Sequence, residues 1–490
     1  MAPGNGKPLQ NLYLSELFYI KLKNVLKLSK NDYIIIKINM KTLIAFADLT
    51  YTEQGISSNA FPYAGAIVGS YAKKKFGNDI EIELFKYPQD FKNYLENNTP
   101  GIVCFTNYSW TLDISHEFSK KIKNKFPKTI IVFGGPNYPT ETETQKNFLL
   151  SYPAIDFYIK GEGELGFVNL LQSLKKFNFD AENLKRNKLK IGNCHYVFNN
   201  ELFVGENLPR VEDLNDIPSP YLSGMLDKFF DKVFTPTIQT SRGCPFKCTF
   251  CHYVFWHDPY RHRSAGNVIA EIKQNQRKYN ANFFNFWDEL SFHKLGPASK
   301  FVEELIKADL KIHWTCAIRA DLMGKDEDSK GNPIPRKERL DLAKKFVKGG
   351  CVSAGYSLES GSDKILEAMN KRVKSKYFKE QVNICREAGL VTNTSIIMGY
   401  PQETSETIKE TMTQLEKLKV YPSTGFLLPL PETGMWNYAI ENNHITDIDH
   451  YLTQITERQD FSLNMTKMTE EEIKKETIQW LQNLNKAFGN

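Results

Sequence analysis

The stretch TSRGCPFKCTFCHY, residues 240–253, concentrates three of the chain's eight cysteines within eight positions. Cys244, Cys248 and Cys251 are separated by three and two residues, on a loop whose course Gly243 and Pro245 shape. Three unrelated core cysteines are not expected at this spacing beside an Arg-Gly-Cys-Pro segment. The pattern therefore predicts a metal-binding loop.

Thiolate ligands favour zinc or the iron of an iron–sulfur cluster. A structural zinc ion takes four protein ligands, usually in two pairs. A second pair is missing here, and His257 would be the best fourth ligand for zinc. Three thiolates are what a [4Fe–4S] cluster needs when one iron stays open for a substrate. The loop therefore favours an iron–sulfur cluster, with zinc as the alternative.

Length and charge limit the classes of protein. A chain of 490 residues is expected to form two or three domains. Residues 1–40 hold six lysines against Glu16 and Asp32, a net charge of +4 out of the chain's +6. The remaining residues are nearly neutral, so we expect no nucleic-acid partner. The first 39 residues are interpreted as a basic extension.

The distribution of apolar and cysteine residues indicates location. No apolar run approaches the ~20 residues that span a bilayer, and no signal peptide is recognisable. Eight unevenly spaced cysteines in so long a chain do not resemble a disulfide framework. We therefore expect a cytoplasmic protein without a membrane span, and a monomer.

Residues 40–180 alternate short apolar strands with helices, which favours a doubly wound parallel sheet. Such sheets bind ligands beyond the carboxyl ends of their strands. Three polar or glycine-rich turns follow strands there: Asn107–Trp110, Gly134–Asn137 and Gly161–Glu164. Residues 181–231 are interpreted as a connector containing a hairpin at Asn199-Asn200.

Residues 232–440 alternate again, with six strand segments separated by helices, which favours a partial parallel (β/α)6 barrel. Barrel chemistry lies at the carboxyl ends of strands. Polar groups follow several of these strands, at Asp288-Glu289, Arg319–Asp321, Glu359–Gly361 and Gly399–Thr404. Residues 441–490 are predicted to be a small helical region, in which Thr469 and Glu472 form a capping box.

CPFKCTFC, with Phe250 before the last cysteine, resembles the signature of radical S-adenosylmethionine (SAM) enzymes. The resemblance covers almost all of residues 232–440. RHRSAGNVIAEI resembles the segment after the cluster loop, and FNFWDELSF the end of the second barrel strand. YSLESGSDKILEAMNK and IMGYPQET resemble the motifs of the fourth and fifth strands. The family's enzymes cleave SAM on a [4Fe–4S] cluster and release a 5′-deoxyadenosyl radical.

The resemblance implies that Cys244, Cys248 and Cys251 hold the cluster and that Phe250 lies against the adenine. Asp288 or Glu289 would meet the methionine ammonium, a sensible charge pair. The sequence has Trp-Asp-Glu where the family has Gly-Gly-Glu, which leaves the choice between the two acids open.

Further residues of the SAM site follow from the same resemblance. Arg319 would pair with the methionine carboxylate, and Ser357 or Glu359 would reach the ribose. Gly399 and Pro401 belong to the fifth-strand motif. The alternative for Arg319 and Glu359 is an ordinary ion pair at a strand end.

The N-terminal domain resembles the cobalamin-binding module that precedes many radical SAM methylases, on the pieces NYSW, VFGGPN and IKGEGE. Glycines let a backbone approach a large planar macrocycle closely. The implied cobalamin-binding residues are Asn107, Tyr108, Trp110, Gly134, Gly135, Pro136, Gly161, Glu162 and Gly163.

One turn departs from the cobalamin pattern. Many such domains carry a histidine after the first strand, whereas ADLTYTEQGISSN has none. This turn therefore offers no imidazole as lower cobalt ligand. Either the lower face is empty or water-bound beside Tyr108 or Trp110, or the domain binds no cobalamin.

The resemblance implies a cobalamin-dependent methyltransferase that acts on an unactivated carbon of a small molecule. An external flavodoxin- or ferredoxin-like donor would supply electrons. The alternative is radical cyclisation, rearrangement or oxidation without methyl transfer. A methylthiotransferase needs three more N-terminal cysteines, and this domain has only Cys104. A zinc- or cluster-stabilised binding protein would leave the strand-end acids unexplained.

Overall fold

The computed structural model describes residues 41–50, 61–230, 234–252, 260–455 and 460–488. The basic extension 1–39, the zinc-ligand candidate His257 and most of the ADLTYTEQGISSN turn lie outside the described residues. Among the described helices, none combines the length and the hydrophobicity needed to cross a bilayer.

The first sheet has seven strands in the order β2-β1-β3-β4-β5-β6-β7. They are β1 (Thr42–Ala47), β2 (Ile80–Phe85), β3 (Ile102–Thr106), β4 (Ile130–Gly134), β5 (Phe157–Ile159), β6 (Cys194–Phe198) and β7 (Glu201–Val204). The first five pair in parallel, which confirms the predicted doubly wound sheet. Strand order reverses between β1 and β3, and ligands bind at such switch points.

The predicted hairpin forms and belongs to this sheet. β6 and β7 are antiparallel and extend the sheet beyond β5. Asn199 and Asn200 both have positive φ, 50° and 61°, as a tight two-residue hairpin turn requires. The connector therefore contributes strands to the first domain.

Helices cover both faces of the first sheet because its strands are apolar on both sides. They are α1 (Tyr63–Phe76), α2 (Pro88–Asn97), α3 (Leu112–Lys125), α4 (Thr142–Ser151), α5 (Gly163–Lys176) and α6 (Ala181–Arg186). Strand β3 reads IVCFT, and its first four residues are buried. One face packs into a hydrophobic core that continues into the barrel, and the other has its own core.

The second domain is built on a parallel sheet in the order β14-β13-β12-β11-β8, with β15 and β16 paired beside it. The strands are β8 (Thr237–Ile238), β9 (Ser241–Arg242), β10 (Arg261–His262), β11 (Phe283–Phe286), β12 (His313–Ala317), β13 (Cys351–Gly355), β14 (Val391–Asn393), β15 (Ser395–Met398) and β16 (Ser423–Phe426). Apart from the short antiparallel pair β9–β10, these are the six predicted strand segments, which confirms the partial barrel.

The fifth predicted strand is split into β14 and β15 at Thr394. Its hydroxyl donates to the Tyr356 carbonyl at 2.9 Å and accepts from the Leu358 backbone N–H at 3.0 Å. The Thr394 hydroxyl thus replaces backbone hydrogen bonds between the fifth strand and the segment after β13. Beyond Thr394 the chain leaves β13, and β15 pairs with β16. A bridge between Glu359 and Ile396 continues the barrel across this break.

The helices between and after the barrel strands alternate with them as predicted. They are α7 (Ala265–Tyr279), α8 (Leu295–Lys307), α9 (Arg336–Lys348), α10 (Asp363–Ala368), α11 (Ser375–Ala388), α12 (Ser405–Leu418), α13 (Gly434–Glu441), α14 (Ile448–Gln454) and α15 (Glu470–Phe488). The predicted capping box begins α15, because the Thr469 backbone N–H donates to Glu472 Oε2 and its hydroxyl accepts from the Glu472 N–H.

Candidate functional site

The barrel holds the cysteine loop in place through Thr249. Its backbone N–H donates to the Met369 carbonyl at 3.0 Å, and its own carbonyl accepts from the Met435 N–H at 2.9 Å. Its hydroxyl lies 2.5 Å from the Tyr400 hydroxyl. Segments after the fourth, fifth and sixth barrel strands therefore anchor one loop residue.

The three loop cysteines are free thiols of intermediate exposure. Burial raises the pKa of Cys244 and Cys248, while the positive charges of Arg319 and Lys371 oppose that rise. Three accessible thiols in a positive field fit an anionic iron–sulfur cluster. Within the described residues, no three His, Cys, Asp or Glu side chains are grouped for a single metal ion.

Two phenylalanines of the loop lie beside cations. The Arg319 guanidinium carbon is 3.3 Å from the centroid of the Phe246 ring, and Lys371 Nζ is 6.0 Å from that of Phe250. These cation–π contacts hold Arg319 and Lys371 close to the cysteines. Phe250 also packs against the core beneath the loop.

The structure separates the two acids that the sequence left unresolved. Asp288 is buried and accepts hydrogen bonds from the backbone N–H groups of Thr240 (2.8 Å) and Ser241 (3.0 Å). The hydroxyls of Ser291 (2.8 Å) and Thr240 also donate to it. Burial raises the pKa of Asp288, and these hydrogen bonds oppose the rise. Asp288 therefore ties β11 to the start of the cysteine loop.

Glu289 faces open space instead. It is exposed and borders two cavities, one at the barrel mouth and one shared with the first domain. The protein around the Glu289 carboxyl partly desolvates it and so raises its pKa, and the negative charge of Asp288 adds to the rise. Asp288 also borders the barrel-mouth cavity, but its carboxylate is buried and already accepts four hydrogen bonds, so Glu289 is the more accessible of the two acids.

Arg319 and Glu359 form the ion pairs that were the alternative prediction. Arg319 Nε lies 2.9 Å from Asp321 Oδ1, and Lys371 Nζ lies 3.0 Å from Glu359 Oε1. Arg319 also donates to the carbonyl of Lys371 at 2.6 Å. Their contacts with SAM stay a prediction.

The remaining residues predicted for the SAM site lie after the fourth and fifth barrel strands. Ser357 accepts a hydrogen bond from the Ser395 hydroxyl at 2.8 Å. Gly399 has φ 89°, and a Cβ there would lie 2.9 Å from the Phe461 ring, so only glycine fits. Pro401 follows it in the same turn.

A cavity lies between the two domains, at the switch point of the first sheet. It is open on one side, holds about 1310 Å³ of empty space when the solvent at its mouth is included, and has a mostly apolar lining. The first domain contributes Gly134–Pro136 and Gly161–Gly163, and the barrel domain contributes Gly243 and Glu289. The cavity therefore joins the predicted cobalamin turns to the cysteine loop.

Asn107 positions the Gly134–Asn137 turn and is itself fully buried. Its Nδ2 donates to the Tyr158 hydroxyl at 2.9 Å and to the Asn137 carbonyl. Gly135 has φ 144°, and a Cβ there would lie 2.4 Å from the Asn107 carbonyl oxygen. Asn107 thus supports the turn from behind and is absent from the cavity lining.

Tyr108 borders the cavity and stacks on Trp110, with ring centroids 4.8 Å apart and planes 4° from parallel. Trp110 is 52% exposed and lies outside the lining. No histidine belongs to the described lining.

Glu162 borders the cavity with its backbone turn, but its carboxylate faces arginines. Arg242 Nη1 donates to it at 3.3 Å and Arg261 Nη1 at 3.1 Å. Arg242 Nη2 donates to the next acid, Glu164, at 2.7 Å. These ion pairs join the first domain to the residues beside the cysteine loop, and sequence reasoning missed them because their partners are 78–99 positions apart.

Sequence reasoning also missed a cavity in the barrel mouth, bordered by several polar side chains, which holds about 830 Å³ of empty space when the solvent at its mouth is included. Thr315 donates to Asn285 at 2.9 Å, and Asn393 donates to Ser353 at 2.7 Å. Asn285 and Thr315 alternate with buried apolar residues along their strands, and that period-2 pattern was the available signal.

The comparisons with known proteins identify the domain that carries the cysteine loop. Residues 238–415 match the family model described as the radical SAM superfamily. This chain carries a radical SAM domain. The radical SAM domain implies SAM and a [4Fe–4S] cluster, and it contains the three loop cysteines.

Two relatives represent different reactions. An uncharacterized methyltransferase of Pyrococcus horikoshii is 27% identical over 358 residues, 72% of each chain. The anaerobic magnesium-protoporphyrin IX monomethyl ester cyclase of Cereibacter sphaeroides is 26% identical over 320 residues, 64% of this chain and 48% of that protein. The chain thus spans about half of the cyclase.

A solved structure shares the two-domain fold. It is the cobalamin-dependent SAM radical enzyme OxsB with aqua-cobalamin and SAM bound. The TM-score is 0.62 at 19% identity, covering 82% of this chain and 55% of that one. The likeness shows that the radical SAM domain here follows a sheet of the same fold.

Proposed function

We propose that this protein is a cobalamin-dependent radical SAM methyltransferase that methylates an unactivated carbon of a small molecule. The observation that carries the proposal is the cavity bordered by Gly134–Pro136, Gly161–Gly163, Gly243 and Glu289. One cavity bounded by both domains suits a methyl donor and a radical source that act on one substrate.

The roles of the residues follow from their positions. Cys244, Cys248 and Cys251 would hold the cluster, and Glu289 would bind the methionine ammonium. The glycine turns would let a macrocycle lie against the backbone, and the apolar lining would exclude water from a reactive radical. When bound, the cluster with SAM supplies the 5′-deoxyadenosyl radical and cobalamin supplies the methyl group.

Tyr108 would lie against the macrocycle. The support is its place in the lining and its stacking on Trp110, which fixes the ring. An external one-electron donor and a cytoplasmic, monomeric protein complete the proposal.

The test is anaerobic reconstitution with iron, sulfide and hydroxocobalamin, followed by desalting and metal analysis. About four irons and one cobalt per chain are expected. Iron without cobalt would overturn the methyltransferase assignment and leave a simpler radical enzyme. Zinc in place of iron would overturn the radical chemistry as well.

The second candidate is radical chemistry without methyl transfer, which the similarity to the cyclase favours. Cobalamin content does not distinguish the two candidate functions. The chemical product does. With SAM carrying a deuterated methyl group, a methyltransferase gives a labelled product, whereas a cyclase or oxidase gives an unlabelled one.

A further inference from the structure

Two acids that begin α5 and two arginines that flank the cysteine loop form a buried cluster at the junction of the domains. Glu164 is 2% exposed and Arg261 is 7% exposed. Glu162 lies in the turn that borders the cavity, and Arg242 directly precedes Gly243 and Cys244.

Arg242 contacts both acids with different nitrogens. Nη1 lies 3.3 Å from Glu162 Oε2, and Nη2 lies 2.7 Å from Glu164 Oε1. Its Nε donates to Gln239 Oε1 at 2.9 Å, which orients the guanidinium from its own domain. The planar fork therefore has its donors directed at both domains, and a lysine could not reproduce this geometry.

The cluster is where the two halves of the cavity meet. Residues on both sides of the Arg242 contacts line it, the Gly161–Gly163 turn on one side and Gly243 on the other. A shift of the turn relative to the loop would change the separation of any two groups bound at these sites. Glu162 would keep Arg261 and Arg210 if Arg242 were lost, but Glu164 would lose the arginine it pairs with and become a buried, uncompensated charge.

We propose that Arg242 is a positioning residue that sets the distance between the cobalamin turn and the iron–sulfur loop. This inference rests on the proposed function, since it presumes a bound group on each side. Arg242 itself borders the cavity, whereas Glu164 does not, so Glu164→Gln separates positioning from the loss of a direct contact. Loss of the Arg242–Glu164 pair should disturb the relative geometry of the two bound groups while leaving each site able to bind.

The experiment compares the parent protein with Arg242→Gln, Arg242→Lys and Glu164→Gln, each loaded with iron, sulfide and cobalamin. Glu164→Gln breaks the same ion pair from the side of the first domain. It keeps the test possible if Arg242→Gln does not fold. Arg336→Gln is the matched control, because Arg336 pairs with Glu380 and Glu387 at 2.8 Å on the exposed surface.

The main readout is magnetic coupling between the reduced cluster and cob(II)alamin, measured by pulsed electron paramagnetic resonance. We expect a defined coupling in the parent and in Arg336→Gln. Arg242→Gln and Glu164→Gln should show a coupling weakened at least twofold or broadened, with iron and cobalt contents unchanged. Arg242→Lys should fall between them and the parent.

Amide hydrogen exchange of the iron-loaded protein gives a second readout that does not need cobalamin. Either substitution should speed exchange at least tenfold both in residues 161–165 and in residues 242–251. If the magnetic coupling is unchanged and faster exchange is confined to the mutated segment, the inference about Arg242 is overturned while the proposed function stands. A parent protein that binds no cobalt would overturn the proposed function, and with it this role of Arg242.

Discussion

Lys371 Nζ lies 3.0 Å from Glu359 Oε1, and both side chains are about nine-tenths buried beside the cysteine loop. The same lysine's carbonyl accepts a hydrogen bond from Arg319, which stacks on Phe246 of the loop. One ion pair therefore links the end of the fourth barrel strand to the cations that surround the cysteines.

Lys371→Met should destabilise the protein by about 3–5 kcal/mol, because it leaves the buried Glu359 carboxylate without a partner. The double variant with Glu359→Gln should regain much of that loss. Urea denaturation of the parent, the two single variants and the double variant measures the effect. Additive losses in the double variant would contradict a direct pair.

Cys244→Ala should reduce bound iron from about four per chain to less than one, since three thiolates anchor the cluster. Cys385→Ala is the control, because Cys385 is buried in the barrel core away from the loop. It should lose stability and keep its iron. The measurement is the iron and sulfide content of each variant after anaerobic reconstitution. If Cys244→Ala retains its iron, Cys244 is not a ligand of the cluster.

Glu289→Gln and Asp288→Asn should fail in different ways. Glu289→Gln should raise the Kd for SAM about tenfold, roughly the 1.4 kcal/mol of one charged hydrogen bond, with little change in Tm. Asp288→Asn should lower stability by about 1–3 kcal/mol, because its amide nitrogen cannot accept from the donors around it. Equilibrium dialysis and thermal unfolding separate them, and the reverse pattern would assign the ammonium contact to Asp288.

Gly135→Ala should weaken cobalamin retention at least tenfold, because its Cβ would lie 2.4 Å from the Asn107 carbonyl oxygen and displace the turn. The strained backbone should also cost about 1–3 kcal/mol of stability. Gly266→Ala is the control, since nothing lies within 4 Å of its Cβ position in helix α7. It should be neutral or slightly stabilising, and equal cobalt retention by both variants would contradict the placement of the macrocycle.

The stability of the first domain should fall as the pH drops from about 6.5 to 4. Burial lowers the pKa of His195 to about 4, and its Nδ1 lies 3.2 Å from the Tyr138 hydroxyl. In that window the unfolded chain binds the proton more readily, so the stabilisation present above pH 6.5 is lost, at most about 3 kcal/mol. His195→Gln should flatten the decline of Tm with acid, and parallel curves for both proteins would refute this cause.

Local pattern was enough for the elements and for the cysteine loop. Apolar strands alternating with amphipathic helices predicted both sheets, and the spacing of Cys244, Cys248 and Cys251 predicted the metal loop before any contact was known. The Thr469–Glu472 capping box was equally readable, because both partners lie within one helical turn.

Long-range partners were not readable in the same way. Glu162 was predicted to bind cobalamin, and it does border the cavity, but its carboxylate pairs with arginines 80 and 99 positions away. Asp288 and Glu289 are adjacent and chemically alike. Only the course of the chain after β11 and the start of the cysteine loop direct Asp288 to donors and leave Glu289 exposed beside the cavities.

The sequence by itself determined the alternation of strands and helices in both domains, the three-cysteine loop and the absence of a histidine from the first-strand turn. These depend on residue type and on spacing within one element. The tertiary structure decided which acid is reachable, which side chains support the glycine turn, and how Arg242 joins the domains. Those outcomes depend on which strand ends meet in space, and burial there turns a polar side chain into a structural partner or leaves it open to a ligand.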